Sequence, residues 1–321
     1  MPKALIVTAG KIGLSAALLF WILRNLDIST ILLHLKGANW FWLGIAFAMF
    51  FLGYLITALR WRMLLRAQGI SAPLGFLIKS FMVGIFFNNL LPSTIGGDAV
   101  RVYDSWRLGN SKSRATSVVM VDRLMGLVAL AIYCLATVLF AGELIQSIAV
   151  LPWLVMSAAV TLAAIAWGIF LAPQPFFLEL ENRSIALSPS LGRIVHKIGY
   201  ALSPFRGKRS LLLRAFGLSL VLQMNVIIHF IIVTRALGID VPPVAMFTII
   251  PLSIFVMMLP ITINGIGLRE GIFVLFFAAY GVPTSAAVAL AWVALGFIII
   301  QGLLGGLVFL SRRESRFQPG T

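Results

Sequence analysis

The chain has 321 residues, of which 60% are hydrophobic and 11% charged, and its mean hydropathy is +1.03; soluble domains are about 45–50% apolar, so water is excluded as its main solvent. Twenty-five Lys and Arg against 10 Asp and Glu give a net charge of +15, which in a soluble protein would suggest nucleic acid. Here the basic residues gather in short stretches between apolar runs, the positive-inside pattern of a polytopic membrane protein.

Runs long enough to span a bilayer, which takes about 20 residues, are 4–23, 40–59, 116–140, 151–171, 215–234 and 285–310. The first begins like a signal peptide, but no small-x-small cleavage site precedes a soluble domain, so it reads as a spanning helix. Lys and Arg in the connections set the orientation. The 173–214 loop carries Arg183, Arg193, Lys197, Arg206, Lys208, Arg209 and Arg214 and is expected on the cytoplasmic side. So are the Lys3 and Lys11 terminus, the Arg60, Arg62, Arg66 turn, the Arg107, Lys112, Arg114 segment and the Arg312, Arg313, Arg316 tail, while 141–150, without Lys or Arg, is external. Within the loop, 188–202 puts Leu191, Ile194, Val195, Ile198 and Leu202 on one helical face; an interfacial helix on anionic lipid and a solvated connector fit equally.

Two apolar regions, 74–108 and 243–281, do not fit as simple spans. The first has basic flanks on both sides and must enter and leave from the cytoplasm; the second enters and leaves outside. The predicted fold is therefore an all-α polytopic membrane protein of about eight inserted segments, six full spans plus two re-entrant helical hairpins. At their breaks the chain reads FNNLLPSTIGGDAVR (87–101) and FVMMLPITINGIGLR (255–269), identical in seven of fifteen places at an offset of 168, where chance in so apolar a chain gives roughly one or two. Units 40–140 and 215–310 read as an inverted-topology repeat.

Residue chemistry gives the shared skeleton a purpose. Pro92 and Pro260 end the first half-helix, Gly97 and Gly265 permit the break, and the next half-helix opens with its positive end facing it. Arginine at membrane depth costs about 2.5–3.5 kcal/mol, so Arg101 and Arg269 imply a water-lined cavity, an anionic ligand, or an internal carboxylate from Asp98, Asp122 or Glu270. Snorkelling by Arg101 and an internal pair for Arg269 form the structural alternative. Asn88 and Asn89 read as caps of the broken helix or ligand contacts. Asp122 and Arg123 open a span, as a local ion pair or a head-group contact. Lys79 reads as a snorkelling side chain and His229 as a packing residue. Cys134, the single cysteine, reads as a small buried hydrophobe and excludes a disulfide or zinc framework. Gly302 and Gly306 form a GxxxG that packs internally or between protomers, leaving a homodimer open.

LPSTIGGDAVRVYDSWRLG, the later VDRLMGLV and LPITINGIGLREG together resemble the lysylphosphatidylglycerol synthase transmembrane-region family, also called flippase-like or UPF0104 proteins, over nearly the whole chain. The resemblance implies a lipid-translocating module. It falls on Asn89, Pro92, Gly96, Gly97, Asp98 and Arg101, on Asp122 and Arg123, and on Pro260, Gly265, Gly267, Arg269 and Glu270; Asn264 stands where many relatives have glycine. Because the chain ends at Thr321 soon after its last span, the soluble synthase half and its activity are not expected.

The leading expectation is a flippase or scramblase of the cytoplasmic (inner) membrane, both termini inside, holding a phosphate-bearing head group near the midplane. Its candidate contacts are Asn89, Thr94, Gly96, Gly97, Asp98, Arg101, Asp122, Arg123, Thr262, Asn264, Gly265, Arg269 and Glu270. The expected partners are membrane lipids and lipid-synthesis enzymes, with no nucleic acid, metal or cofactor. With no GxxxxGK[ST] loop, ATP is not hydrolysed by the chain; Glu270, Asp122 and His229 are the nameable proton couplers. The alternatives are an intramembrane lipid-phosphate enzyme using Ser93 or Thr94, for which no base stands near either motif, and an accessory protein of a lipid-modification pathway.

Overall fold

The computed structural model describes residues 13, 16–24, 28–90, 95–109, 111–138, 150–170, 174–205, 207–258, 261–262 and 264–312, and among these there are helices and no strands. In chain order the helices are α1 (Ala16–Leu23), α2 (Ile28–Lys36), α3 (Trp40–Ala67), α4 (Leu74–Leu90), α5 (Ile95–Arg107), α6 (Lys112–Val138), α7 (Leu151–Phe170), α8 (Gln174–Leu187), α9 (Pro189–Leu202), α10 (Arg209–Ala236), α11 (Pro243–Met257), α12 (Leu268–Ala278) and α13 (Thr284–Ser311).

Local chemistry sets their ends. Asn39 opens α3 by accepting the Phe41 and Trp42 N–H groups on its side-chain oxygen, a good N-cap. Gly69 (φ 81°) and Gly238 (φ 67°) close α3 and α10 in the left-handed conformation, letting Ile70 N–H and Ile239 N–H reach back to the Leu65 and Thr234 carbonyls. Pro243 is the first residue of α11, where a missing N–H does no harm, and Pro283 stands at the N-cap of α13.

Four of these helices, α3, α6, α10 and α13, are long and apolar enough to cross a membrane; the α1/α2 pair, bent by 88°, would make a fifth. Twenty-residue α7 carries no charged side chain and packs on α6. Five of the six expected runs thus coincide with helices; the first, 4–23, lies mostly outside the described residues, as does the external 141–150 connection. At about 1.5 Å per residue, α4 (17 residues) and α11 (15 residues) fall short of a full span. The 188–202 stretch is the helix α9, folded back on α8 through a His196–Glu181 contact of 2.9 Å.

Helices α6 and α10 run antiparallel to α3, and α13 runs parallel to it. Lys208, before α10, donates to the Ala67 carbonyl at the end of α3, and Gln68 donates to the Arg114 carbonyl at the start of α6. Arg312, just past α13, reaches Asp104 of α5 at 2.9 Å and lies over the Phe76 ring of α4. One end of the bundle therefore carries Lys208, Arg114 and Arg312, three of the basic residues counted from the sequence. At the other end Asn39 N–H bonds the Ala236 carbonyl. Helices α4 and α5 fold back on each other: Gly84 meets Gly97, and Ser80 donates to Asp104.

The last helix divides its faces. Leu303, Leu307 and Leu310 point outward, 64–80% exposed, as hydrocarbon-facing side chains would be, whereas Gly302, Gly305 and Gly306 lie against α4. The GxxxG reading thus resolves to internal packing. A Cβ at 305 would sit 2.1 Å from the Met82 carbonyl oxygen, backbone that cannot swing aside; a Cβ at 306 would meet the Phe86 ring at 3.1 Å. Gly305→Ala is expected to lose about 1–3 kcal/mol by overpacking and Gly306→Ala less, measured by thermal unfolding in detergent micelles; equal stability of the three proteins would contradict the seam.

Candidate functional site

Three buried charges converge where α3, α5 and α6 meet. Asp122, in the third turn of α6, is 2% exposed and uses both carboxylate oxygens. One accepts Arg60 Nε at 2.6 Å and the other Arg101 Nη2 at 2.9 Å. Arg60 also donates to Ser219 Oγ of α10 at 2.8 Å, and the Arg101 guanidinium lies 4.7 Å above the Trp61 ring, a cation–π contact that helps a desolvated cation. Asp98 pairs with Arg123 beside this cluster, both partly exposed. Three guanidiniums against two carboxylates leave one positive charge in excess.

A cavity of about 230 Å³ opens beside the cluster, with Asn88, Gly97, Asp98, Arg101, Asp122 and Arg123 among its walls. A second cavity of about 470 Å³, within the usual range for ligand pockets, adjoins it. The two share Thr57, Phe81, Ile85 and Leu222. The second is mainly apolar, with Phe50, Phe230 and Met257 in its wall, and its one charged group is Arg269.

Of the expected contacts in the first motif, Gly97, Asp98, Arg101, Asp122 and Arg123 line one cavity, and Gly96 is buried at the head of α5. Thr94, Ser93 and Pro92 lie outside the described residues. Asn89 points away, donating to the Ile298 carbonyl of α13 at 2.7 Å, and Asn88 accepts the Gly97 N–H at 2.6 Å; both act as packing and capping groups. That bond occupies the Gly97 N–H, and the tight Gly84 contact leaves no room there for a ligand, so Gly97 serves close helix approach instead of offering an anion nest.

Of the described residues expected as contacts in the second motif, Arg269 alone reaches the cavity wall. Asn264 adopts φ 51° and Gly265 and Gly267 adopt φ 75° and 79°; asparagine tolerates the left-handed region better than most residues, which accounts for its standing there. The Asn264 carbonyl accepts Arg269 Nη2 at 2.9 Å, and Glu270 turns back to accept the Gly267 N–H at 2.7 Å. Thr262 is buried in the preceding bend, and Pro260 and Ile263 lie outside the described residues. Arg101 and Arg269 therefore line different, adjoining cavities.

Two sequence readings change. The local Asp122–Arg123 pair does not form: α6 begins at Lys112, and neighbours in a helix point about 100° apart, so each residue finds a partner on another element. Arg60, counted among the basic turn residues, is 4% exposed inside α3. Its signal was its place directly after the apolar run 40–59, with Trp61 next, but nothing local names a partner 62 residues away. His229 packs as expected, against the Ala46 carbonyl at 2.9 Å and the Phe50 ring, and Cys134 is buried. No group of three metal-ligating side chains occurs among the described residues.

Compared with known families, residues 8–306 match the lysylphosphatidylglycerol synthase TM region. The chain belongs to that family. It is similar to UPF0104 membrane proteins of Pyrococcus horikoshii (25% identical, 98% of each chain), Methanothermobacter thermautotrophicus (23%, 85% of this chain and 84% of the relative) and Methanocaldococcus jannaschii (23%, 90% of each). Together with the four long apolar helices this makes it a multi-pass membrane protein.

Asp122→Ala strands Arg60 and Arg101 in a buried site and is expected to destabilise by roughly 3–5 kcal/mol. Asp98→Ala, which breaks a partly exposed pair, is expected to lose under about 1 kcal/mol. Denaturant titration of the two variants beside the parent measures both, and comparable losses would mean that the Asp122 arrangement is not the anchor.

Proposed function

We propose that the chain is a lipid flippase or scramblase that moves a phosphate-bearing lipid across the cytoplasmic membrane through the two adjoining cavities. The observation that carries this reading is their division of character. One holds the arginine cluster, the other is apolar and ends at Arg269, and they meet along a shared wall. A phospholipid has the same division between an anionic head and hydrocarbon. Membership of a family named for the membrane region of a lipid synthase agrees with a lipid role.

The topology that suits this activity has the basic end of the bundle in the cytoplasm by the positive-inside rule, with both chain termini there. Helices α4 and α5 form a re-entrant hairpin from that side; Arg312, in contact with the first turn of α4 and the last turns of α5, supports it. Helices α11 and α12 form its counterpart from the other side. Units α3–α6 and α10–α13 are then inverted repeats, and alternating access follows from rocking one against the other. Movement is passive, driven by a gradient, or driven by a partner.

Reconstituted into vesicles carrying a fluorescent phosphatidylglycerol analogue, the intact protein is expected to expose the inner-leaflet probe to dithionite, while empty vesicles protect it. Arg269→Ala is expected to slow this about tenfold or more, the loss of one buried charge-assisted hydrogen bond, with an unchanged unfolding temperature. Quenching no faster with the intact protein than in empty vesicles would defeat unaided translocation.

A further inference from the structure

Arg269 and Arg101 stand at equivalent places in the repeated motif, yet their surroundings differ. Arg101 is neutralised by Asp122. Arg269 is 5% exposed and has no carboxylate within salt-bridge distance among the described residues; neighbouring Glu270 is turned to the Gly267 N–H. Its Nη2 donates to the Asn264 carbonyl, but Nη1 is buried without a partner. A buried guanidinium left uncompensated is strongly unfavourable, and the positive end of α12, at whose second residue Arg269 sits, adds to the same field.

A second unfilled group lies in the same wall. Asn225 Nδ2 donates to the Met49 carbonyl at 3.2 Å, which fixes the orientation of the amide, and its Oδ1 is buried with no donor opposite. One side of the cavity thus lacks an anionic acceptor and another lacks a hydrogen-bond donor. The other polar groups of this cavity, Tyr54, Gln223, His229 and Gln301 among them, contribute hydrogen bonds and no negative charge. Along both cavities together four guanidiniums (Arg60, Arg101, Arg123, Arg269) face two carboxylates (Asp98, Asp122), a surplus of 4 − 2 = 2 positive charges. Both carboxylates are already held by arginines, so neither is offered to a cationic head group.

We infer that the occupant is an anionic phosphodiester lipid whose head group carries hydroxyls and no cation, its phosphate on Arg269 and a hydroxyl donating to Asn225. Aminoacylated and other positively charged head groups are disfavoured, because they add to an existing positive surplus. The inference deepens the translocation reading and rests on it only in taking the occupant from the bilayer; the apolar wall around Arg269 selects a lipid over a soluble phosphodiester.

Equilibrium retention by the purified full-length protein in detergent, read by native mass spectrometry, tests this. The probes are phosphatidylglycerol, phosphatidylmethanol (equal charge, no hydroxyl), phosphatidylcholine, lysylphosphatidylglycerol and soluble glycerophosphoglycerol. Phosphatidylglycerol is expected to be held about tenfold more tightly than the choline and lysyl lipids and severalfold more tightly than phosphatidylmethanol. Arg269→Gln is expected to erase the charge preference, and Asn225→Leu the hydroxyl preference alone. Equal retention of the lysyl or choline lipid overturns the inference, as does displacement by glycerophosphoglycerol as effective as by the lipid. Should Arg269→Gln not fold, the parent's lipid series and Asn225→Leu decide. Selective binding without movement in vesicles would defeat translocation alone; movement with no charge preference in binding would defeat this inference alone.

Discussion

Asp122 accepts one guanidinium on each carboxylate oxygen, and the three charges involved are 2–5% exposed in a chain surrounded mostly by hydrocarbon. Desolvating such ions is unfavourable by several kcal/mol each, and only near-complete pairing offsets it. The pairing dictates position: α3 must bring Arg60, α5 must bring Arg101 and α6 must present Asp122 at one point, while Ser219 draws α10 to the same place. Once these four helices are fixed, the glycine contact of α4 with α5 and the cavity beside the cluster have little freedom left.

The duplicated motif therefore holds two arginines with different tasks. In the first half a carboxylate from the next long helix reaches the arginine, and the pair becomes part of the framework. In the second half the acidic residue sits immediately after the arginine, where helix geometry sends it to the N-terminal backbone, and among the described residues no neighbouring helix supplies another. The same spacing of proline, glycine and arginine yields a brace in one place and an uncommitted cation in the other.

Much of the architecture was legible in the sequence because its signals are local. Apolar runs of spanning length became α3, α6, α7, α10 and α13, and the Pro and Gly spacing located the interruptions between Leu90 and Ile95 and between Met257 and Leu268. The 188–202 amphipathic pattern became α9. What could not be read were long-range partners. Arg60 at the edge of an apolar run is indistinguishable from a boundary arginine until Asp122 and Ser219 are beside it. Asp122 and Arg123 are adjacent in sequence but diverge on the helix, and the N–H of Gly97, open on paper, is taken by Asn88 from the preceding helix. Of the thirteen site residues expected, those on α5 and α6 other than Gly96 share a cavity because α5 is braced against α6; those of the second motif mostly shape their own turn.

The glycine face of α13 against α4 has a thermodynamic character unlike that of a soluble core. Apolar surface that leaves lipid for protein releases no water, so the seam is held by dispersion between closely approaching backbones. Hydrophobic association in water weakens on cooling because its driving force is largely hydration entropy; contact enthalpy of this kind does not fade in that way. The α4–α13 pair should therefore stay clasped at low temperature, a property set by three hydrogen atoms standing where side chains would be.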